Sequence, residues 1–169
     1  PSPAIVMDDF DRILANGWGT SIKGGAWTAT GTASNFAVAG GVGSITVPLG
    51  ATRTESLNSV AATSTDTTVD VALNRPDAGS TYVSVIGRRV NATDDYRVKL
   101  RVFANGDVNA TLVKNVAGVE TTLAGGRVTG LVYSSNDVLR VRLQVAGTGT
   151  TALKAKVWRA TDAEPAAWN

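Results

Sequence analysis

The chain has 169 residues, 43% of them hydrophobic and 18% charged, and a net charge of +2. That length suits one domain with a sizeable core. Cysteine and histidine are both absent, which excludes disulfides, thiolate catalysis, Cys- or His-ligated zinc and Ser-His-Asp chemistry.

No apolar run approaches the length needed to cross a bilayer, so membrane insertion is not expected. The opening "PSPAI", without an initiator Met, suggests a mature domain or a piece of something longer. Glycine and threonine are abundant, and no window holds apolar residues at the three-four spacing of an amphipathic helix. The reading is all-β. In chain order the expected strands are "AIVMDDF", "WTATGT", "NFAVAG", "VGSITV", "ATRTESLNSV", "TTVDVALN", "TYVSVIGRR", "DYRVKLRVF", "DVNATLVKN", "VETTLAG", "DVLRVRLQV" and "TALKAKVWRA". Turn signals such as "AGG", "NRPDAGS", "ANGD" and "AGTGT" separate them. Many short antiparallel strands bury one face each by stacking into a two-sheet β-sandwich or jelly roll, read here as a single domain over 1–169.

The acidic run "VMDDFDR" comes first among candidate sites. Asp8, Asp9 and Asp11 offer enough oxygen donors to contribute to a calcium site, although Asp8 or Asp9 can equally cap a turn. Trp18, Trp27 and Trp168 lie among glycines and alanines; Trp27 and Trp168 are expected to seal the rim of the sandwich, and Trp18 is left open.

In "TYVSVIGRR" period two sends Val83 and Val85 inward and Tyr82, Ser84, Ile86 and Arg88 outward. "DYRVKLRVF" alternates Arg97, Lys99 and Arg101 with Val98, Leu100 and Val102. A two-residue turn at Asn105 and Gly106 would set that apolar side beside Asn109 and Thr111. A three-residue loop with Gly106 left-handed instead pairs Val102, Leu100 and Val98 with Val108, Ala110 and Leu112, so both strands bury the same face. The opposite face then carries Arg97, Lys99, Arg101 and Phe103 beside Asp107, Asn109, Thr111 and Val113.

The same period buries Leu139, Val141, Leu143 and Val145 and exposes Arg140, Arg142 and Gln144. It buries Leu153, Ala155 and Val157 and exposes Lys154, Lys156 and Trp158. A basic surface with Tyr82, Phe103 and Trp158 among its members suits an anionic polymer, because guanidinium groups fork onto carboxylates and aromatic faces stack on sugar rings. The alternative is a solvated sheet face whose cations pair with outward carboxylates such as Asp70. Periodicity leaves open whether these strands share one sheet. For glycoside hydrolysis two carboxylates are needed at neighbouring positions, and "TTVDVALN" carries only Asp70.

"DDFDR" followed by "GWG" and "GGAWT", then "YVSVIGRRV", "DYRVKLRV" and "NGDVNATLVK", and finally "LKAKVWRATDAEPAAW", resemble the concanavalin A-like (laminin G-like) jelly-roll domains of secreted actinobacterial proteins and of minor tail proteins of their phages. The resemblance implies an antiparallel sandwich used for glycan binding or adhesion, sometimes with calcium at its rim. It does not imply catalysis, because the Glu-x-Asp-x-x-Glu and Glu-x-Asp-x-Glu carboxylates of glucanases with this fold are missing, as is the Gln-x-His of alginate lyases. Similar domains continue past the last Trp into a strand that closes against the N-terminal one. The expectation is therefore a fragment lacking its closing strand, or a neighbouring chain over the "AIVMDDF" edge.

The expected function is a non-catalytic extracellular module binding a polysaccharide or cell-surface glycan through Tyr82, Arg97, Lys99, Arg101, Arg140, Arg142, Lys154, Lys156 and Trp158. No cofactor is required, apart from calcium if Asp8, Asp9 and Asp11 hold it. The second reading is a structural domain of a phage tail or surface appendage, in contact with further copies of itself or with neighbouring virion proteins. Nucleic acid is not an expected partner.

Overall fold

A computed structural model describes residues 3–169. The chain is all-β, with several antiparallel sheets in an arrangement compatible with a β-sandwich. It divides into two compact units, Pro1–Ala61 and Ala62–Asn169.

The first unit holds β1 (Thr28–Thr30), β2 (Phe36–Ala39), β3 (Val42–Ile45) and β4 (Thr54–Ser56). Strands β2 and β3 form a hairpin in which Ala39 faces Val42. Gly40 and Gly41 make its turn at φ 59° and 74°, the left-handed pair that a two-residue hairpin requires. Strand β1 pairs with β4. Phe36 and Val38 are fully buried.

The expected strand "AIVMDDF" does not form; its one bridge is Met7 to Lys23. The cause is local. The Asp8 carboxylate accepts the Phe10 amide, and Phe10 itself sits at φ 56°, so the chain turns where a strand would have to stay extended. "ATRTESLNSV" likewise contributes only the three residues of β4.

The second unit contains β5 (Thr65–Val71), β6 (Ser80–Arg89), β7 (Asp95–Phe103), β8 (Asp107–Val116), β9 (Val119–Val132), β10 (Leu139–Ala146) and β11 (Ala152–Arg159). One sheet runs β6-β7-β8-β9, and the other β11-β10-β5. The β7–β8 register is the one the bulged loop predicts, with Val98, Leu100 and Val102 opposite Leu112, Ala110 and Val108. Gly106 lies at φ 88° and donates its amide to the Phe103 carbonyl at 2.8 Å.

Those residues, together with Leu139, Val141, Leu143 and Val145 from β10 and Ala155 and Val157 from β11, make one apolar core. Each fully buried Val or Leu contributes about 1.5–3 kcal/mol relative to exposure. The two sheets thus turn their inner faces on the same core. Tyr133, fully buried, ties the unit to the end of β5 by donating to the Leu73 carbonyl at 2.7 Å and accepting the Leu73 amide at 2.8 Å. Among the described residues no helix is long and apolar enough to cross a membrane.

Candidate functional site

In an antiparallel ladder, residues directly opposite each other share a face. Across the four-stranded sheet, Tyr82 faces Arg101, Arg101 faces Asn109, and Asn109 faces Arg127. The next row is Ser84, Lys99, Thr111 and Gly125. Alternation had already turned Arg97, Lys99 and Arg101 outward. The topology adds that Tyr82 stands directly beside Arg101, and that β9 brings Arg127 into line.

Tyr82 is 51% exposed. Lys99 Nζ lies 4.9 Å from its ring centroid and the Arg101 guanidinium 5.4 Å, while the Phe103 ring packs 4.3 Å from that guanidinium on its other contact. Arg101 Nε donates to Ser80 Oγ at 2.9 Å. The other cations here have carboxylate partners. Arg97 grips Asp95 through Nε at 2.6 Å and through Nη2, which raises the pKa of Arg97. Lys99 reaches Glu120 at 2.7 Å and Arg127 reaches Asp107 at 2.7 Å. Val113, expected outward in this face, is instead fully buried; it faces Arg97 and lies next to the bulge at Leu112 and Val113.

Arg140, Arg142, Lys154, Lys156 and Trp158 belong to the other sheet. There Asp70, Arg140 and Trp158 form one row, and Thr68, Arg142 and Lys156 the next. Because both sheets face one core, the candidate residues form two separate groups that point away from each other. In this second group Arg140 holds Asp70 in a two-pronged pair at 2.6 and 2.7 Å. Arg142 holds Asp66 at 2.9 and 2.6 Å and Glu164 at 2.7 Å. These contacts lower the carboxyl pKa values of Asp66 and Asp70, chiefly through the hydrogen bonds from Arg142 and Arg140 respectively.

Lys156 and Trp158 are not exposed, as alternation predicts; each retains only 6% of its accessible surface. At Lys156 the reason is the C-terminal segment, which folds back over β11. Lys156 Nζ donates to Glu164 at 2.9 Å and to the Pro165 carbonyl at 2.5 Å, with the Trp168 ring 4.7 Å away. Asn169 occupies the open edge of β11, its amide on the Ala155 carbonyl and its Oδ1 accepting from the Val157 amide. Trp168 therefore lies against the cations of an outer face and does not seal a rim. Lys154 stays exposed, 6.0 Å from the same ring.

Asp8, Asp9 and Asp11 lie in the first unit. The Asp8 side chain, 3% exposed, accepts from Arg12 Nη1 at 2.7 Å, Arg12 Nη2 at 2.8 Å, Trp27 Nε1 at 2.6 Å and the Phe10 amide at 3.1 Å. The Arg12 bond is the largest of the effects holding its pKa below the usual value. Asp9 accepts the Asp11 amide at 3.0 Å. Both oxygens of Asp8 are thus committed to protein donors. Among the described residues no three acidic side chains converge as a metal site would require.

Phe10, Trp18 and Trp27 pack on one another beside Asp8, with centroids 5.1 to 6.2 Å apart. Trp18 Nε1 donates to the Ser44 carbonyl at 3.0 Å. Both tryptophans are half-buried and held in this cluster. Glu55 on β4 buries both carboxylate oxygens without a hydrogen-bonded partner, and burial raises its pKa against a smaller opposing effect of the Trp18 backbone.

No protein-family model, curated protein or solved structure matches the chain.

Proposed function

We propose that this chain is a non-catalytic, extracellular carbohydrate-binding or adhesion module of the concanavalin A-like jelly-roll kind, and that its ligand bed is the outer face of β6-β7-β8-β9. The observation that carries this reading is the row Tyr82, Arg101, Asn109, Arg127, with a half-exposed aromatic ring at one end of a line of hydrogen-bonding side chains. A sugar ring stacks on an aromatic face while its hydroxyls meet neighbouring polar groups. Mounting those groups on paired strands fixes their spacing before the ligand arrives, which reduces the ordering cost of binding. The second group of cations is less suited, because Arg140, Arg142 and Lys156 are already occupied by Asp70, Asp66 and Glu164.

Native affinity electrophoresis through gels containing soluble polysaccharides tests the reading. Retardation of the wild-type chain by at least one polysaccharide is expected, with Tyr82→Ala weakening it by roughly tenfold, the effect of losing one stacking platform. Unchanged retardation in that variant would remove the bed from this face.

A second reading, a structural domain of a tail or appendage in contact with other chains, has its own support. Strand β9 is a 14-residue edge strand, and Val119 and Leu123 along it are 67% and 47% exposed. Long exposed edges invite pairing with another chain. Sedimentation equilibrium distinguishes the readings: a concentration-dependent oligomer that Val119→Lys dissolves favours the second.

A further inference from the structure

We infer that the bed is built for an acidic polysaccharide laid across the strands, and that Arg101 is the residue that holds its carboxylate. The inference rests on the glycan-binding reading and specifies the class of ligand. Its basis is the way charge is distributed over the face. Arg97, Lys99 and Arg127 are each matched by a carboxylate of the chain, namely Asp95, Glu120 and Asp107. Arg101 is not. Among the described residues its hydrogen-bonded partner is a neutral hydroxyl, Ser80 Oγ, and its remaining contacts are the rings of Tyr82 and Phe103.

The geometry leaves the reactive edge available. Ser80 takes Nε, and neither Nη group makes a hydrogen bond among the described residues. The Nη pair is the edge that forks onto a carboxylate. Contacts with Phe103 at 4.3 Å and Tyr82 at 5.4 Å hold the guanidinium in place, so little side-chain freedom remains to be lost when an anion arrives. Beside it, the Asn109 side chain is half-buried and makes no hydrogen bond among the described residues. Its carboxamide offers two donors and an acceptor, a match for the mixed hydroxyl pattern of a sugar.

Adjacent strands lie about 4.8 Å apart, so the row from Tyr82 to Arg127 spans roughly 14 Å, enough for several sugar rings in line. One unmatched cation among paired ones suits a polymer of moderate charge density that alternates neutral rings with carboxylates. A densely charged phosphate backbone would instead meet Asp95, Asp107 and Glu120 on the same face, and the multiple phosphate contacts typical of nucleic-acid binding would lack unpaired cations.

The experiment compares gels containing polygalacturonate, the same polymer with its carboxyls methyl-esterified, and neutral dextran. Wild type, Arg101→Ala, Arg101→Lys, Tyr82→Ala and the charge-matched control Arg75→Ala, an exposed residue of the loop between β5 and β6, are run on each, with thermal midpoints measured for every variant. Retention by polygalacturonate is expected to fall about tenfold or more on esterification and in Arg101→Ala, as for the loss of a charge-assisted pair. Arg101→Lys should recover only a small part of it, because an ammonium neither forks nor stacks in the same way. Retention should also weaken with added salt, and Arg75→Ala should behave as wild type. Equal retention by the free and esterified polymers, with Tyr82→Ala still weakening both, would overturn the acidic-ligand inference and leave the glycan-binding reading standing. Absence of retention in every gel would overturn both.

Discussion

Asp8 and Glu55 respond to pH in opposite senses, although both are buried carboxylates of the first unit. Asp8 has its pKa lowered mainly by Arg12. Its contribution to stability is present above its unfolded value near 3.8 and is lost as pH falls through the lower folded value. Glu55 has its pKa raised by burial. Its carboxyl costs nothing extra below the unfolded value near 4.5, and stability is lost as pH rises from there through the higher folded value. The first unit is therefore expected to be most stable in mildly acidic solution. Glu55→Gln should remove the alkaline side of that dependence and raise hydrogen-exchange protection of the Val38 amide, which is bonded to the Leu14 carbonyl, measured at pH 7. An unchanged pH profile would show that Glu55 is not the group responsible. The Asp8 site also shows where spacing is a poor guide. Three aspartates within four positions read as oxygen donors for a cation, but an arginine four residues along from Asp8 is itself a cation, and it occupies the carboxylate.

At the scale of strands, the register of the β7–β8 hairpin was legible, although the burial of Val113 was not, because two constraints coincide in it: the period-two pattern allows one register, and Gly106 supplies the left-handed residue that this register needs. Gly106→Ala should destabilise the chain by about 1–3 kcal/mol in denaturant unfolding. A methyl group there would meet the Tyr133 carbonyl oxygen at 2.6 Å, in addition to the strain of φ 88°. The same alternation misplaced Lys156. Alternation reports which side of a strand a residue takes, and it carries no information about a segment that later folds over that side. Glu164, Pro165, Trp168 and Asn169 are such a segment. Its importance can be measured. Glu164→Gln, which leaves the 8%-exposed Lys156 side chain without its carboxylate, should lower the thermal midpoint more than Asp70→Asn. In the latter, both members of the pair with Arg140 are well exposed, and exposed pairs contribute little.

At the scale of the molecule, the all-β class followed from composition and turn signals, whereas the grouping of the basic residues did not. Arg101 and Arg142 read alike in the sequence, each in a Val- and Leu-rich alternating strand. Strand order separates them: β7 lies among β6, β8 and β9, and β10 lies between β5 and β11. Pairings between segments far apart along the chain decide this, and local periodicity is blind to them. β9 follows β8 across a two-residue turn, but the strand expected there, "VETTLAG", ends at Gly125, whereas β9 runs to Val132 and so brings Arg127 into line with Arg101.

The two sheets of the second unit also differ in how far apart in sequence their partners lie, and this sets an order of assembly. Strands β6 to β9 are joined each to the next as neighbours, so their contacts close over short loops. Residues 65–71 of β5 have to wait for residues 139–145 of β10. Loop closure over the longer span is slower and costs more entropy. Leu100→Ala should therefore slow refolding in stopped-flow measurements, while Val141→Ala should mainly speed unfolding; the reverse partition would mean that the β5–β10 pairing nucleates the unit. During synthesis, the four strands that carry Tyr82, Arg101, Asn109 and Arg127 are complete by residue 132, before β10 has been made. On a growing chain, strands β6 to β9 are therefore expected to be complete while β5 still lacks its partner, which leaves β5 the strand with a pairing edge longest unmet.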